Sequence, residues 1–286
     1  MPTTAAASAV TVPPLVRAER GTLAPRILSA TVLAPLPIAA IWFGFPWLPM
    51  LVAAGGAIMS WEWARLCRGD GLGVSGSLLL ATIVVAVTAA ALAEFSIATA
   101  IIAFGSILVG IAAYWQGDRA PVWLALGTLW VGIPCVLLLW LEEAKTAGPN
   151  LLFFLLAIVW ATDIGAYAVG KLIGGPRLAP RWSPGKTWAG LIGGMTAAAL
   201  TGLIAGWLLV AGSALSLVVV SAALAIVEQF GDLAESVAKR RFGVKDSSGL
   251  IPGHGGLLDR VDGLLAVIPA AALLTVLGDH GLPVWR

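Results

Sequence analysis

Apolar stretches of about 17 to 23 residues, each long enough to cross a hydrocarbon core near 30 Å, recur along the whole chain. They fall at roughly 28–44, 47–66, 77–93, 95–115, 120–140, 150–171, 188–211, 213–234 and 257–278, and they predict about nine transmembrane helices. In lipid every backbone polar group needs a partner within the protein, so spanning segments are helices or closed barrels, and runs of this length select helices. The fold class is therefore an all-α polytopic membrane protein. Composition agrees: the 286 residues are 59% apolar and 11% charged, with a mean hydropathy of +0.95, against roughly 45–50% apolar for a soluble domain.

Charge placement sets the orientation. With the N-terminus in the cytoplasm, fifteen of the seventeen Lys and Arg residues fall inside, leaving Lys145 and Arg286 outside. Residues 1–26, rich in Ala, Thr and Pro, read as a disordered cytoplasmic tail. Residues 27–141 read as an N-terminal bundle of about five helices, and 142–286 as a C-terminal catalytic region of about four helices with cytoplasmic loops. Trp61, Trp63, Trp115, Trp182 and Trp188 near the inner boundary, and Trp42, Trp47, Trp140, Trp207 and Trp285 near the outer one, read as an aromatic belt. Cys67 and Cys135 stand alone, at no metal-ligand spacing. The glycines from Gly190 to Gly194 suggest close helix packing.

Three regions concentrate the chemistry. Glu228, Asp232, Glu235 and Lys239 follow one another at steps of 4, 3 and 4, which puts them on one helix face. Charges at membrane depth normally line a cavity, pair, or bind an ion. The loop from Gly249 to Gly256 runs directly into the last helix, so its N–H groups could converge on an anion at a helix N-terminus. It carries His254, Gly255 and Gly256, flanked by Lys245, Asp246, Asp259 and Arg260. In Arg181-Trp-Ser-Pro-Gly-Lys-Thr-Trp188, residues Ser183, Lys186 and Thr187 precede another helix. The Gly-Lys-Thr string lacks the spacing and the strand of a P-loop. Asp163 lies deep in an apolar run with Tyr167 one turn away, and an internal pair is as plausible there as a substrate contact. Glu62, three residues from Arg65, reads as a local ion pair, and Glu94, Glu142 and Glu143 as exposed loop charges.

Ser236, Lys239, Arg240, Lys245, Asp246, Pro252, His254, Gly255, Gly256, Asp259, Arg260 and Asp262, at their offsets, resemble the signature of the phosphatidate cytidylyltransferases, also called CDP-diacylglycerol synthases. The blocks Trp160-Ala-Thr-Asp163-Ile-Gly-Ala-Tyr167 and Arg181 to Trp188 resemble the other shared region. Gly185 and Ala189 stand where that family often has lysine and glutamate. The likeness is detailed over residues 150–286 and rests on helix count and composition before that.

The resemblance implies transfer of the cytidylyl group of CTP to phosphatidic acid, giving CDP-diacylglycerol and pyrophosphate, at the cytoplasmic face of a bacterial-type inner membrane. It implies magnesium held by Asp232 and Asp259, leaves open a monovalent cation such as K+, and implies a homodimer. Catalysis would then fall to Asp232, Asp259, Lys239 and Lys245. CTP or lipid phosphate would meet Asp163, Ser183, Lys186, Thr187, Ser236, Arg240, Asp246, His254, Gly255, Gly256, Arg260 and Asp262. Membrane lipids are partners and nucleic acid is not. Two alternatives stand beside it: a CTP-dependent polyprenol or phytol kinase of related core, and an ion-coupled transporter relaying cations through Asp163 and Asp232.

Overall fold

The computed structural model describes residues 31, 34–69, 71–143, 148–208 and 214–279. The tail at 1–26, Lys145 and Arg286 lie outside the described residues. Among these residues, nine helices follow in order: α1 Pro35–Phe43, α2 Trp47–Arg68, α3 Gly73–Ala91, α4 Phe95–Trp115, α5 Pro121–Glu143, α6 Gly148–Ile173, α7 Trp188–Leu208, α8 Ala214–Arg241 and α9 Leu258–Asp279. Seven, α3 to α9, are long and apolar enough to cross a membrane. The described part of α1 is only nine residues long. Helix α2 has the length, but Glu62, Arg65 and Arg68 lower its hydropathy. Helix α8 runs seven residues past the apolar stretch at 213–234, so the whole stripe through Lys239 and Arg240 stays helical.

One element departs from the all-α expectation. Between α6 and α7, strands β1 Arg177–Ala179 and β2 Ser183–Thr187 pair antiparallel, with Arg177 opposite Thr187 and Ala179 opposite Ser183. Pro180 and Pro184 break the alternation by which strands are recognised, so the sequence reads there as loop.

Helices α2 to α5 pack around Leu79, Ile83, Ile102 and Leu124, all fully buried. Helices α6 to α9 form a second group, and α5 lies against α6 and α9 as well as α3 and α4. Helices α6 and α7 touch backbone to backbone. A Cβ at Gly165 would stand 2.7 Å from the Gly193 carbonyl oxygen, and one at Gly193 2.8 Å from that of Gly165, the close approach expected from the glycine run. Trp63 departs from the belt: it is buried, and its indole N–H donates to the Trp123 carbonyl at 2.7 Å. Trp42, Trp115 and Trp207 are exposed, as an interfacial belt requires. Both cysteines are free and buried, and Glu142 and Glu143 end α5 rather than sit in a loop.

Candidate active site

Glycine sets the distance between α8 and α9. A Cβ at Gly231 would lie 2.8 Å from the Asp262 carbonyl oxygen, and one at Gly263 2.7 Å from the Glu228 side chain. That approach brings Asp259 and Asp262 beside the α8 stripe. Glu228 and Glu235 are buried there, while Asp232 and Lys239 are half-buried. The Lys239 ammonium bridges the two helices, 2.8 Å from Glu235 Oε2 and 2.6 Å from Asp259 Oδ1.

The hairpin and α6 complete the cluster. Lys186 reaches Asp232 Oδ2 at 2.6 Å and the Gln229 carbonyl at 3.4 Å. Asp163 on α6 lies close to Glu228, and Asp262 close to Glu235, whose Oε1 is buried without a hydrogen-bond donor among the described residues. Exposed Arg260 donates to the His254 carbonyl at 3.0 Å. Six carboxylates, those of Asp163, Glu228, Asp232, Glu235, Asp259 and Asp262, thus gather among the described residues near Lys186 and Lys239. Carboxylates in contact need a positive charge between them, a proton or a cation. Ser236 donates to Asp232 Oδ1 at 3.4 Å.

Several other predicted residues have structural duties. Thr187 is buried and caps α7, its hydroxyl accepting from Gly190 N at 3.0 Å. Ser183 pairs with Ala179 across the hairpin and is half-buried. Exposed Arg240 ties the hairpin turn to the end of α8 through the carbonyls of Trp182 and Val244. Lys245 and Asp246 lie exposed at the rim, and His254 is half-buried. Tyr167 accepts from the Lys171 ammonium at 3.4 Å, and no Asp163–Tyr167 hydrogen bond is seen among the described residues.

The start of α9 corrects the expectation of a bare anion cradle. Its leading amides, Leu257 N and Leu258 N, donate to the Glu62 carboxylate at 2.9 and 2.7 Å. Gly256 N donates to Asp259 Oδ2 at 2.8 Å. The protein's own carboxylates occupy the positive helix end that would otherwise attract phosphate. Gly255, at φ +84°, closes the turn in which Ile251 N donates to its carbonyl at 2.8 Å. At Gly256 a Cβ would overlap Ser247 and Glu62. Gly255 is therefore demanded by its backbone conformation and Gly256 by the side chains packed against it.

Glu62 is the residue that sequence reasoning misplaced. It is fully buried and bonded to α9, while Arg65 lies over the Trp61 ring at 5.0 Å. The signal was an ionisable group amid apolar neighbours. Its partners, 186 to 196 residues away, were beyond any local spacing.

Fold and cluster together define a helical membrane protein with a charged centre between its last helices. The chain belongs to the cytidylyltransferase family, whose model matches residues 24–277. It is 39% identical over 253 residues to a phosphatidate cytidylyltransferase of Brucella suis biovar 1, covering 88% of this chain and 92% of the relative. It is 37% identical over 277 residues to one of Pseudomonas aeruginosa, covering 90% and 98%. A third, of Haemophilus influenzae, is 44% identical over 131 residues, 43% of this chain and 44% of that protein.

Proposed function

We propose that the chain transfers the cytidylyl group of CTP to phosphatidic acid, releasing pyrophosphate and forming CDP-diacylglycerol for phospholipid synthesis. The observation that carries the reading is the interleaved cluster in which Lys186 meets Asp232 and Lys239 meets Asp259 and Glu235, in a chain of this family. Two polyanions must be brought together, and fixed basic groups with cations offset their repulsion. A phosphatidate oxygen attacks the α-phosphorus of CTP; the new P–O bond forms as the bond to the β-phosphate oxygen breaks, and pyrophosphate leaves. The attacking phosphate monoester, with a second pKa near 6, is already largely dianionic, so no strong base is required. Positioning and charge stabilisation are the main tasks.

The donor set suits magnesium. All the acidic ligands are oxygen, the choice of a hard cation. No three acidic, His or Cys side chains among the described residues converge as a cage, and magnesium usually needs only one or two carboxylates, with water and substrate phosphates filling the rest. Asp232 and Asp259 would hold it, exchanging their lysine partners for the ion. When bound it would supply charge neutralisation at the departing pyrophosphate. We place the site at the cytoplasmic face of a bacterial inner membrane, in a homodimer.

The test is incubation of purified protein with labelled CTP, phosphatidic acid and magnesium. A lipid-soluble cytidine product, with pyrophosphate accumulating only when phosphatidic acid is present, is the expected result. Release of CDP with a polyprenol or phytol acceptor would replace this reading with the kinase.

A further inference from the structure

The fully buried Glu62 carboxylate spends all of its described hydrogen bonds on one segment. Oε1 accepts from Ser248 Oγ at 2.6 Å and Leu257 N at 2.9 Å, and Oε2 from Leu258 N at 2.7 Å. These donors span the loop between α8 and α9 and the first residue of α9. From the opposite side Asp259 Oδ2 accepts from Ser247 N and Oγ, each at 2.9 Å, and from Gly256 N at 2.8 Å. Gly256 lies between the two clamps, with no room for a side chain. The other oxygen of Asp259 holds Lys239, which in turn holds Glu235. A shift of the Glu62 clamp therefore passes through the loop to Asp259 and Lys239. Helix α2 has separate anchors, buried Met59, Trp63 and Ala64 among them, so loss of the carboxylate frees the loop without removing that packing.

We propose that Glu62 is a positioning residue of the reaction: through Ser248, Leu257 and Leu258 it sets where Asp259 and Lys239 stand, while touching neither substrate. The inference rests on the function proposed above and draws the N-terminal bundle into a site expected to lie wholly within 142–286.

The full chain is purified as wild type, Glu62→Gln, Glu62→Asp and Ser248→Ala. Each is assayed for kcat, for KM toward CTP and phosphatidic acid, for melting temperature, and for amide hydrogen exchange over 245–258. Glu62→Gln should lose about 10²-fold in kcat, the cost of a misplacement of about 1 Å. Its KM for phosphatidic acid should stay near wild type and its melting temperature should fall, because the amide nitrogen must face either Leu258 N or the Ser248 and Leu257 donors, while the Leu257 and Leu258 amides exchange faster. Glu62→Asp, which keeps the charge, should recover part of kcat, and Ser248→Ala should lose a smaller factor. Wild-type kcat per folded molecule in Glu62→Gln overturns the proposal, as does a loss that Glu62→Asp does not relieve. If Glu62→Gln fails to fold, wild-type kcat in both other variants overturns it. If the wild type itself forms no cytidine lipid, the assigned reaction fails instead, and the clamp is then judged by exchange alone: unchanged protection at 245–258 in the Glu62 variants overturns it.

Discussion

Lys186, carried on a hairpin between α6 and α7, pairs with Asp232 at the middle of the α8 stripe, 2.6 Å from its Oδ2. The pair joins two segments that the sequence separates by 46 positions and that share no periodicity. Lys186→Ala should lower turnover by about 10²-fold, the typical cost of removing one fixed charge-stabilising group. Asp232→Asn should abolish turnover while the protein stays folded and extractable. Steady-state assays and detergent extraction of the two proteins check this, and near-normal turnover in either variant would remove that residue from the site.

Asp259→Asn should also abolish turnover, but with a structural component that Asp232→Asn lacks. An amide nitrogen would face either Lys239 or the donors from Ser247 and Gly256. A melting temperature lower than that of Asp232→Asn is the expected signature.

His254→Gln should retain measurable turnover, because a phosphate dianion needs no general base whereas an alcohol acceptor does. Any loss should appear mainly in KM for CTP. Complete loss of kcat with unchanged KM would point to proton transfer and favour an alcohol as acceptor.

Gly193→Val forces a branched side chain into the α6–α7 contact, where even a Cβ would crowd Gly165 and Val169. Overpacking of this kind costs about 1–3 kcal/mol, so the melting temperature in detergent should fall. The same change at Gly185, where a Cβ meets nothing within 4 Å, should leave it unmoved.

Orientation is testable at described loops. Reporter fusions at Ala93, between α3 and α4, and at Lys245, after α8, should report opposite sides of the membrane, with Lys245 cytoplasmic. The same side for both would overturn the helix alternation.

The spanning helices were legible because their signal is local: apolar length decides them, and α3 to α9 fall where the runs fall. The α8 stripe was legible for the same reason, since a 4, 3, 4 step needs only helical geometry to become a face. Asp259 and Asp262 could be placed near it because a short loop returns the chain. The hairpin was hidden by its prolines. Thr187 looked like a phosphate ligand because a helix cap and an anion site ask for the same hydroxyl at the same position. Glu62 was misread because the nearest opposite charge in sequence, Arg65, was not its nearest partner in space. The glycine loop was misread in consequence: with Glu62 unaccounted for, its amides looked vacant.

The backbone contact between Gly165 and Gly193 also governs traffic. Where two helices lie so close that a single methyl group would not fit, an acyl chain cannot slide between them. The seam between α6 and α7 is thus sealed along the stretch nearest Asp163. A bilayer lipid bringing its phosphate to the cluster must approach around that seam, with its tails left in the surrounding membrane.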